Sequence, residues 1–538
     1  MPASRPSGAE ASDLPRAEAG AISVALGIFL SRVAGLVRQR VTAYYFGLGM
    51  EADAWAAAFR IPNFLQNLFG DQALSASFIP VYASLMARGE RREADRVAGA
   101  VAALLAVVVA PVVLIGLVAT PLLIDLIAPG FSGEKRELTT RLVRILFPGA
   151  GLLVLSAWCL GVLNSHHRFL LSYTAPIAWN AAMIATLLLF GGGAALPRLA
   201  IWLAWGSVVG SALQFGVQAP VVARVAPDLR FAVDTTSAHV RSVAGNFAPV
   251  FVSRGVVQIS AYVDQLLASL LGTGAVAAIT NAQTLSTLPV SLFGMAVSAA
   301  ELPRMAGITG TVEARDEALR RRLDGGLRQI AFWVIPSAMA FFALGDVVAA
   351  GLFQTGRFTH TDARYVWGIL AGSAVGLLAS TLGRLYSSTY YALRDTRTPL
   401  RYAIVRVALT TVLGYLFALP LPRALGVAPA WGAAGLTASA GLAGWVEMFL
   451  LRAKLNARIG RTGLPAAYVA KLWSAAIAGA AIAWAMKFAI PTFHPVITAV
   501  FVLGPYGLVF ALVTVTLRIP EASTALARFH MSFRRRHD

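Results

Sequence analysis

About fourteen long apolar segments follow one another between residues 19 and 517, and the loops joining them are mostly short. Hydrocarbon offers no water to satisfy backbone N–H and C=O groups, so such segments cross a membrane only as helices or closed barrels. Roughly 20 apolar residues suffice for one helical crossing. A second feature narrows the possibilities: several segments carry charge at their centres. Ser31 to Pro80 is apolar enough to be embedded, yet holds Arg32, Arg38, Arg40, Asp53, Arg60 and Asp71. A charge at the bilayer centre costs at least about 3 kcal/mol and usually faces a bundle interior or a watery cavity. The sequence therefore predicts an all-α polytopic membrane protein enclosing a polar, cationic chamber.

The expected spans cover residues 20–47, 54–85, 95–127, 140–162, 170–192, 198–223, 242–271, 275–303, 328–352, 365–391, 401–420, 430–452, 468–489 and 496–517. Only 13% of the 538 residues are charged, against about 25% in soluble domains. No soluble domain fits in the loops. The expected organisation is a disordered tail (1–18), an N-lobe of six spans (19–224), a C-lobe of six (225–455), two further spans (456–520) and a basic tail (521–538). The first 18 residues are polar and mixed in charge, unlike a signal peptide.

The formal net charge is +19. Such a balance first suggests nucleic acid, but the distribution argues for topology instead. Arg88, Arg91, Arg92 and Arg96 follow the second span, Arg320, Arg321 and Arg322 the eighth, and Arg452, Lys454 and Arg458 the twelfth. The opposite loops hold few cations, among them Lys135 and Arg136. Under the positive-inside rule, both termini are cytoplasmic. The single cysteine, Cys159, permits no internal disulfide and no Cys-based metal site.

A short repeat links the second and eighth spans. Leu68-Phe69-Gly70 leads to Ser75-Ala76-Ser77-Phe78-Ile79-Pro80, and Leu292-Phe293-Gly294 leads to Ser298-Ala299-Ala300-Glu301-Leu302-Pro303. An offset of six spans is even, so the repeats are parallel, as in two lobes rocking around a central site.

Polar residues fall on helical faces. In the second span Asp53, Arg60 and Asn67 recur every seven residues, with Asn63 and Asp71 on the same face. The eighth span carries Thr280, Thr284, Thr287, Ser291, Gly294, Ser298 and Glu301. The seventh has Arg254, Gln258, Tyr262 and Gln265, with Asp264 beside them. The tenth has Ser373, Gly376, Ser380, Arg384, Ser387 and Tyr391. Small and hydroxyl residues alone are explained by close helix packing in lipid, and an Arg254–Asp264 pair would be purely structural. A hydrated cavity lined by spans one, two, seven and eight accounts for more of the charged members together. Pro62 and Pro289 are expected to kink two of its walls. Arginines concentrated in the first two spans suit an anionic ligand, because guanidinium pairs bidentately with phosphate. A phosphate-bearing amphiphile in a membrane is a lipid-linked substrate.

Enzyme chemistry has little support. Prenyl-phosphate transfer needs clustered carboxylates for a metal or general base, and the chain has no adjacent Asp pair. It has no GxxxxGK[ST] phosphate loop, so ATP is not expected to drive it directly. Its His residues lack metal-ligand spacing. No cofactor is expected. A coupling ion, Na⁺ or H⁺, or the membrane potential remains open as the driving force.

Several ordered motifs carry a family resemblance: SRVAGLVR at 31–38, FGLGMEADAW, RIPNFL at 60–65, LSASFIP at 74–80, LNSHHRF at 163–169, LFQTGRFTHTDA at 352–363 and YYALRDTRTP at 390–399. Together they resemble the MurJ (MviN) family of lipid II flippases, in the multidrug/oligosaccharidyl-lipid/polysaccharide exporter superfamily. The resemblance implies fourteen helices in two six-helix lobes, with helices 13 and 14 forming a lipid-facing groove. It implies outward movement of undecaprenyl-pyrophosphoryl-disaccharide-pentapeptide by alternating access, by a monomer working beside other cell-wall synthesis proteins. The alternatives are export of another polyprenyl-linked glycan, or drug or ion antiport. Arg32, Arg38 and Asp53 align with functional cavity residues of the family, and Arg384 with a basic position of helix ten. Gln39, Gln66 and Asp71-Gln72-Ala73 depart from its pattern. Thr284 and Thr287 stand where the family has Arg and Glu, so Arg254, with Asp264 or Glu301, is expected to supply the missing charge. Arg32, Arg38, Arg60, Arg254 and Arg384 are the expected cargo-binding cations, with Asp53 holding one arginine in place.

Overall fold

A computed structural model describes residues 10–489 and 493–524, with side chains at 10–25, 71–72, 248–250 and 252–261 outside the description. The chain is all-α. Its helices are α1 (Glu10–Phe46), α2 (Met50–Phe69), α3 (Asp71–Ser77), α4 (Ile79–Ala87), α5 (Arg91–Ile127), α6 (Gly133–Ser165), α7 (Phe169–Phe190), α8 (Leu196–Val225), α9 (Ala238–Ser269), α10 (Ala275–Pro289), α11 (Ala296–Ala306), α12 (Val312–Phe353), α13 (His360–Ala392), α14 (Arg397–Ala418), α15 (Pro420–Ala424), α16 (Gly432–Ile459), α17 (Ala466–Ala489) and α18 (Pro495–Thr516).

Each expected span falls on helix. Among the described residues, eleven helical segments are both long and apolar enough to cross a membrane, against the fourteen expected. The other three expected spans fall on α1, which holds Arg32, Arg38 and Arg40, on α2, which holds Asp53 and Arg60, and on α9, which holds Arg254 and Asp264. Large apolar side chains stand outward, such as Val118 at 81% exposure and Leu189 at 77%. In water such a surface would aggregate, and in lipid it is the solvated face.

The chain divides into two compact units, Met1–Tyr262 and Val263–Asp538. The division falls within α9, whereas the sequence suggests a boundary at 224/225. The first unit is built around α6, which packs against α2, α5 and α8, while α1 and α8 flank α7. The second is built around α12 and α13, with α16 against α13 and the α17–α18 hairpin against α12. Helix α13 approaches α16 very closely: a Cβ on Gly376 would lie 2.2 Å from the Gly441 Cα. This is small-residue packing of the kind that substitutes for a hydrophobic driving force in lipid.

The repeated Leu-Phe-Gly motif falls where regular α-helix is interrupted at both copies. Helix α2 runs unbroken through Pro62 and ends at Phe69, where Gly70 takes φ −88°, ψ −147°. Gly294 sits inside a π-helical turn, Val290–Met295, directly after Pro289. Such turns are frequent at functional sites.

Candidate functional site

In the first unit, α1, α2 and α7 converge on Arg38. Its guanidinium carbon lies 5.2 Å from the Phe59 ring centroid and 5.4 Å from that of Trp179. The two rings stack 5.5 Å apart. Trp179 is held by its indole N–H, which donates to the Ser207 carbonyl at 3.1 Å and the Ser207 hydroxyl at 3.2 Å. Cation–π contact offsets part of the cost of desolvating the charge. The Nε of Arg38 is buried without a hydrogen-bond partner among the described residues. A buried cation with donors to spare favours an incoming anion. Asn63 borders a small cleft with Phe59, Trp179, Ser207 and Ser211.

Asp53, in the first turn of α2, is fully buried. Lys135, from the first turn of α6, donates to its Oδ2 at 2.6 Å and is itself only 11% exposed. The ammonium also lies 4.3 Å from the Phe131 ring centroid. The expectation that Asp53 holds an arginine did not anticipate this lysine, which on sequence alone reads as a loop charge. The next residue, Arg136, donates to both carboxylate oxygens of Asp125 at 2.7 and 2.9 Å. Two successive cations thus clip the start of α6 to α2 and to the end of α5.

Other expected residues of this unit fall nearby on the same helices. Arg60 is half-buried, and its carbonyl accepts from the Tyr262 hydroxyl at 3.3 Å. Phe64 packs edge-on against Tyr262, so the first part of α9 does meet α2. Gln39 and Gln66 are half-buried, whereas Arg32 and Asn67 are exposed. The side chains of Asp71, Arg254 and Gln258 lie outside the described residues, and with them the proposed Arg254–Asp264 pair.

A further cluster joins α4, α5 and the turn after α6. The Tyr82 hydroxyl lies 2.8 Å from His166 Nε2 and 3.3 Å from Asp95 Oδ1. The other Asp95 oxygen accepts from the Asp228 backbone N–H at 3.2 Å. Burial lowers the His166 imidazole from its ordinary 6.5; Asp95 opposes this, and Arg91, His167 and Arg168 add to it.

In the second unit most of the hydroxyl stripe bonds to its own helix. Thr284 donates to the Thr280 carbonyl and Thr280 to that of Val276, the local arrangement open to any helical threonine. Thr287 is exposed and Asp264 half-buried. Glu301 accepts from Arg304 at 2.9 Å and lies 3.9 Å from Arg322, both from the basic stretch that follows. Arg384 is exposed on α13.

An apolar cleft of about 360 Å³ lies between α12, α18 and the π-helical turn, lined by Phe293, Phe332, Trp333, Pro336, Tyr506 and Phe510. The hairpin is fastened along α12. The Tyr506 hydroxyl donates to the Pro336 carbonyl at 2.6 Å, and the Trp484 indole to that of Ala343 at 2.8 Å. Lys487 pairs with the buried Asp346. These contacts surround Leu344, where α12 departs from helical geometry. The Ala343 carbonyl exposed beside that kink is thus capped by an aromatic donor.

Known proteins resemble this chain in sequence and in fold. The family profile described as "Lipid II flippase MurJ" matches residues 42–504. The lipid II flippase MurJ of Burkholderia cenocepacia is 31% identical over 435 residues, 80% of this chain and 82% of that protein. The probable lipid II flippase MurJ of Rhizobium tropici is 31% identical over 410 residues, 75% and 76% of the respective chains. A solved structure of lipid II flippase MurJ in an inward closed conformation superimposes with a TM-score of 0.75 at 22% identity, covering 92% of this chain and 99% of that one. An inward-facing multidrug resistance MATE transporter reaches 0.64 at 17% identity, covering 81% of this chain and 98% of its own. The chain belongs to the lipid II flippase MurJ family.

Proposed function

We propose that the protein carries lipid II, the undecaprenyl-pyrophosphate-linked peptidoglycan precursor, from the inner to the outer leaflet of the bacterial cytoplasmic membrane by alternating access. The observation that carries this reading is Arg38, an intramembrane guanidinium held against two aromatic rings with a donor unused, in a chain of this family. Arg38, with Arg32 on the same helix and Arg60 on α2, receives the pyrophosphate. Asp53 and Lys135 pair and fix the starts of α2 and α6, which holds α2 in place beside Arg38. The apolar cleft beside α18 takes the polyprenyl chain, held there by packing contacts, since lipid tails are as apolar as the cleft wall.

The protein acts as a transporter, without a chemical step. The work comes from the membrane potential or a Na⁺ or H⁺ gradient. Both termini lie in the cytoplasm, where the basic loops meet the anionic leaflet. It functions as a monomer beside other cell-wall synthesis proteins. Complementation of a strain depleted of its lipid II flippase tests the reading, scored by access to lipid II at the outer face. Rescue that depends on Arg38 supports it. A well-expressed protein that leaves lipid II inside overturns it.

A further inference from the structure

The second unit holds its own intramembrane charge cluster, which the polar stripes marked at only one position. Arg384 on α13, Arg406 on α14 and Glu447 on α16 lie within electrostatic reach of one another, with Tyr391 at the edge. Arg406 Nη1 is 3.4 Å from Glu447 Oε2; the glutamate side chain is 13% exposed and the arginine 36%. Arg384 is exposed and has no hydrogen-bond or ion-pair partner among the described residues.

The three groups share a depth. Arg384 precedes the end of α13, Arg406 follows the start of α14, and Glu447 precedes the end of α16. At ~1.5 Å per residue each lies roughly 12–18 Å from its helix end. Those ends are together, since Arg458 near the end of α16 lies 4.0 Å from Asp395 in the α13–α14 turn. Two cations therefore face one carboxylate well inside the spans. A surplus cation there is costly and marks a ligand path more often than a scaffold.

We propose that Arg384 and Arg406 form a phosphate-binding site in the second unit, with Glu447 as the built-in anion that a phosphate-bearing ligand displaces from Arg406. This deepens the lipid-carrier reading and rests on it: the ligand is the diphosphate of the cargo. Guanidinium groups on two helices can each present paired donors to a diphosphate. Glu447 competes for one of them, so the site holds cargo reversibly and regains a paired Arg406 when it leaves. The alternative is a structural Arg406–Glu447 pair with Arg384 merely reaching toward solvent.

The two differ in the sign of one variant. The full-length protein in neutral-lipid nanodiscs is titrated with undecaprenyl pyrophosphate, with inorganic pyrophosphate as competitor. Glu447→Gln is expected to tighten lipid binding and Arg406→Gln to weaken it, each by about tenfold, the scale of one charge-assisted contact. In an Arg38→Ala background, which removes the first unit's pyrophosphate contact, competition by inorganic pyrophosphate that is lost on adding Arg406→Gln assigns recognition at this site to the diphosphate. Melting curves, with the charge-neutral Arg406→Gln/Glu447→Gln protein as the folded control, separate binding from stability. If Glu447→Gln lowers the melting temperature and leaves affinity unchanged, the pair is structural and the site is overturned. If the wild-type protein binds no pyrophosphate lipid at all, the functional reading falls and takes the site with it.

Discussion

Lys135 and the fully buried Asp53 form an ion pair that joins the first turn of α6 to the first turn of α2. Its counterpart in the second unit is Lys487 with Asp346, joining α17 to α12. The chain has four lysines, Lys135, Lys454, Lys471 and Lys487, and two of them are spent in such pairs. An ammonium is a compact, strongly hydrated point charge, so enclosing one calls for a close carboxylate partner.

Breaking the Asp53–Lys135 pair from one side should destabilise more than removing it. Lys135→Met or Asp53→Asn leaves a buried charge or a stranded polar group, and loss of one partner of such a pair costs about 3–5 kcal/mol. The double variant Asp53→Asn/Lys135→Met is expected to recover most of that loss in thermal unfolding. Additive losses in the two single variants would remove the pairing from the account.

The hairpin contacts on α12 make a separate prediction. Lys487→Met should loosen the segment around Trp484 while leaving the first unit unchanged. Hydrogen exchange should rise at 480–489 and near Ala343, whose carbonyl the indole caps. Unchanged exchange there would mean the hairpin is held by apolar packing alone.

Close packing of α13 on α16 depends on Gly376. A methyl group at that position meets Gly441 at 2.2 Å, backbone against backbone, so no side-chain rotation relieves it. Gly376→Ala is expected to destabilise by about 1–3 kcal/mol, the usual range for overpacking. A melting temperature equal to the wild type would show that the helices separate freely.

His166 introduces a pH dependence. Its folded value lies below the ordinary 6.5, so on acidification the unfolded chain takes up the proton first. Stability is therefore unaffected above about pH 6.5 and declines as the pH falls below it, until the folded imidazole also titrates. His166→Gln should flatten that decline in melting curves taken across the window. A slope of equal steepness in the variant would place the titration elsewhere.

Much of the fold was legible because lipid permits few solutions. Apolar length located the helices, whereas the interruptions at Gly70 and at the Val290–Met295 turn were not anticipated at the Leu-Phe-Gly repeat. The partnerships were not legible. Lys135 lies 82 residues from Asp53 and Arg406 lies 41 from Glu447, and no helical period relates residues on different helices. Phe59 and Trp179 read as ordinary apolar residues until α1 sets Arg38 against both rings. One signal was available and went unused: lysine is scarce in a chain that otherwise uses arginine. The hydroxyl stripe fits close helix packing as well as a cavity wall, and Thr280 and Thr284 bond to carbonyls of their own helix.

The central claim is that Arg38 binds the pyrophosphate of a lipid cargo that the protein carries outward. The most direct measurement compares wild type with a folded, membrane-inserted Arg38→Ala protein in cells lacking another lipid II flippase, counting lipid II reachable from outside. The account predicts lipid II at the outer face with the wild type and its loss with Arg38→Ala at equal protein level and melting behaviour. Equal outer-face lipid II with the two proteins would contradict it.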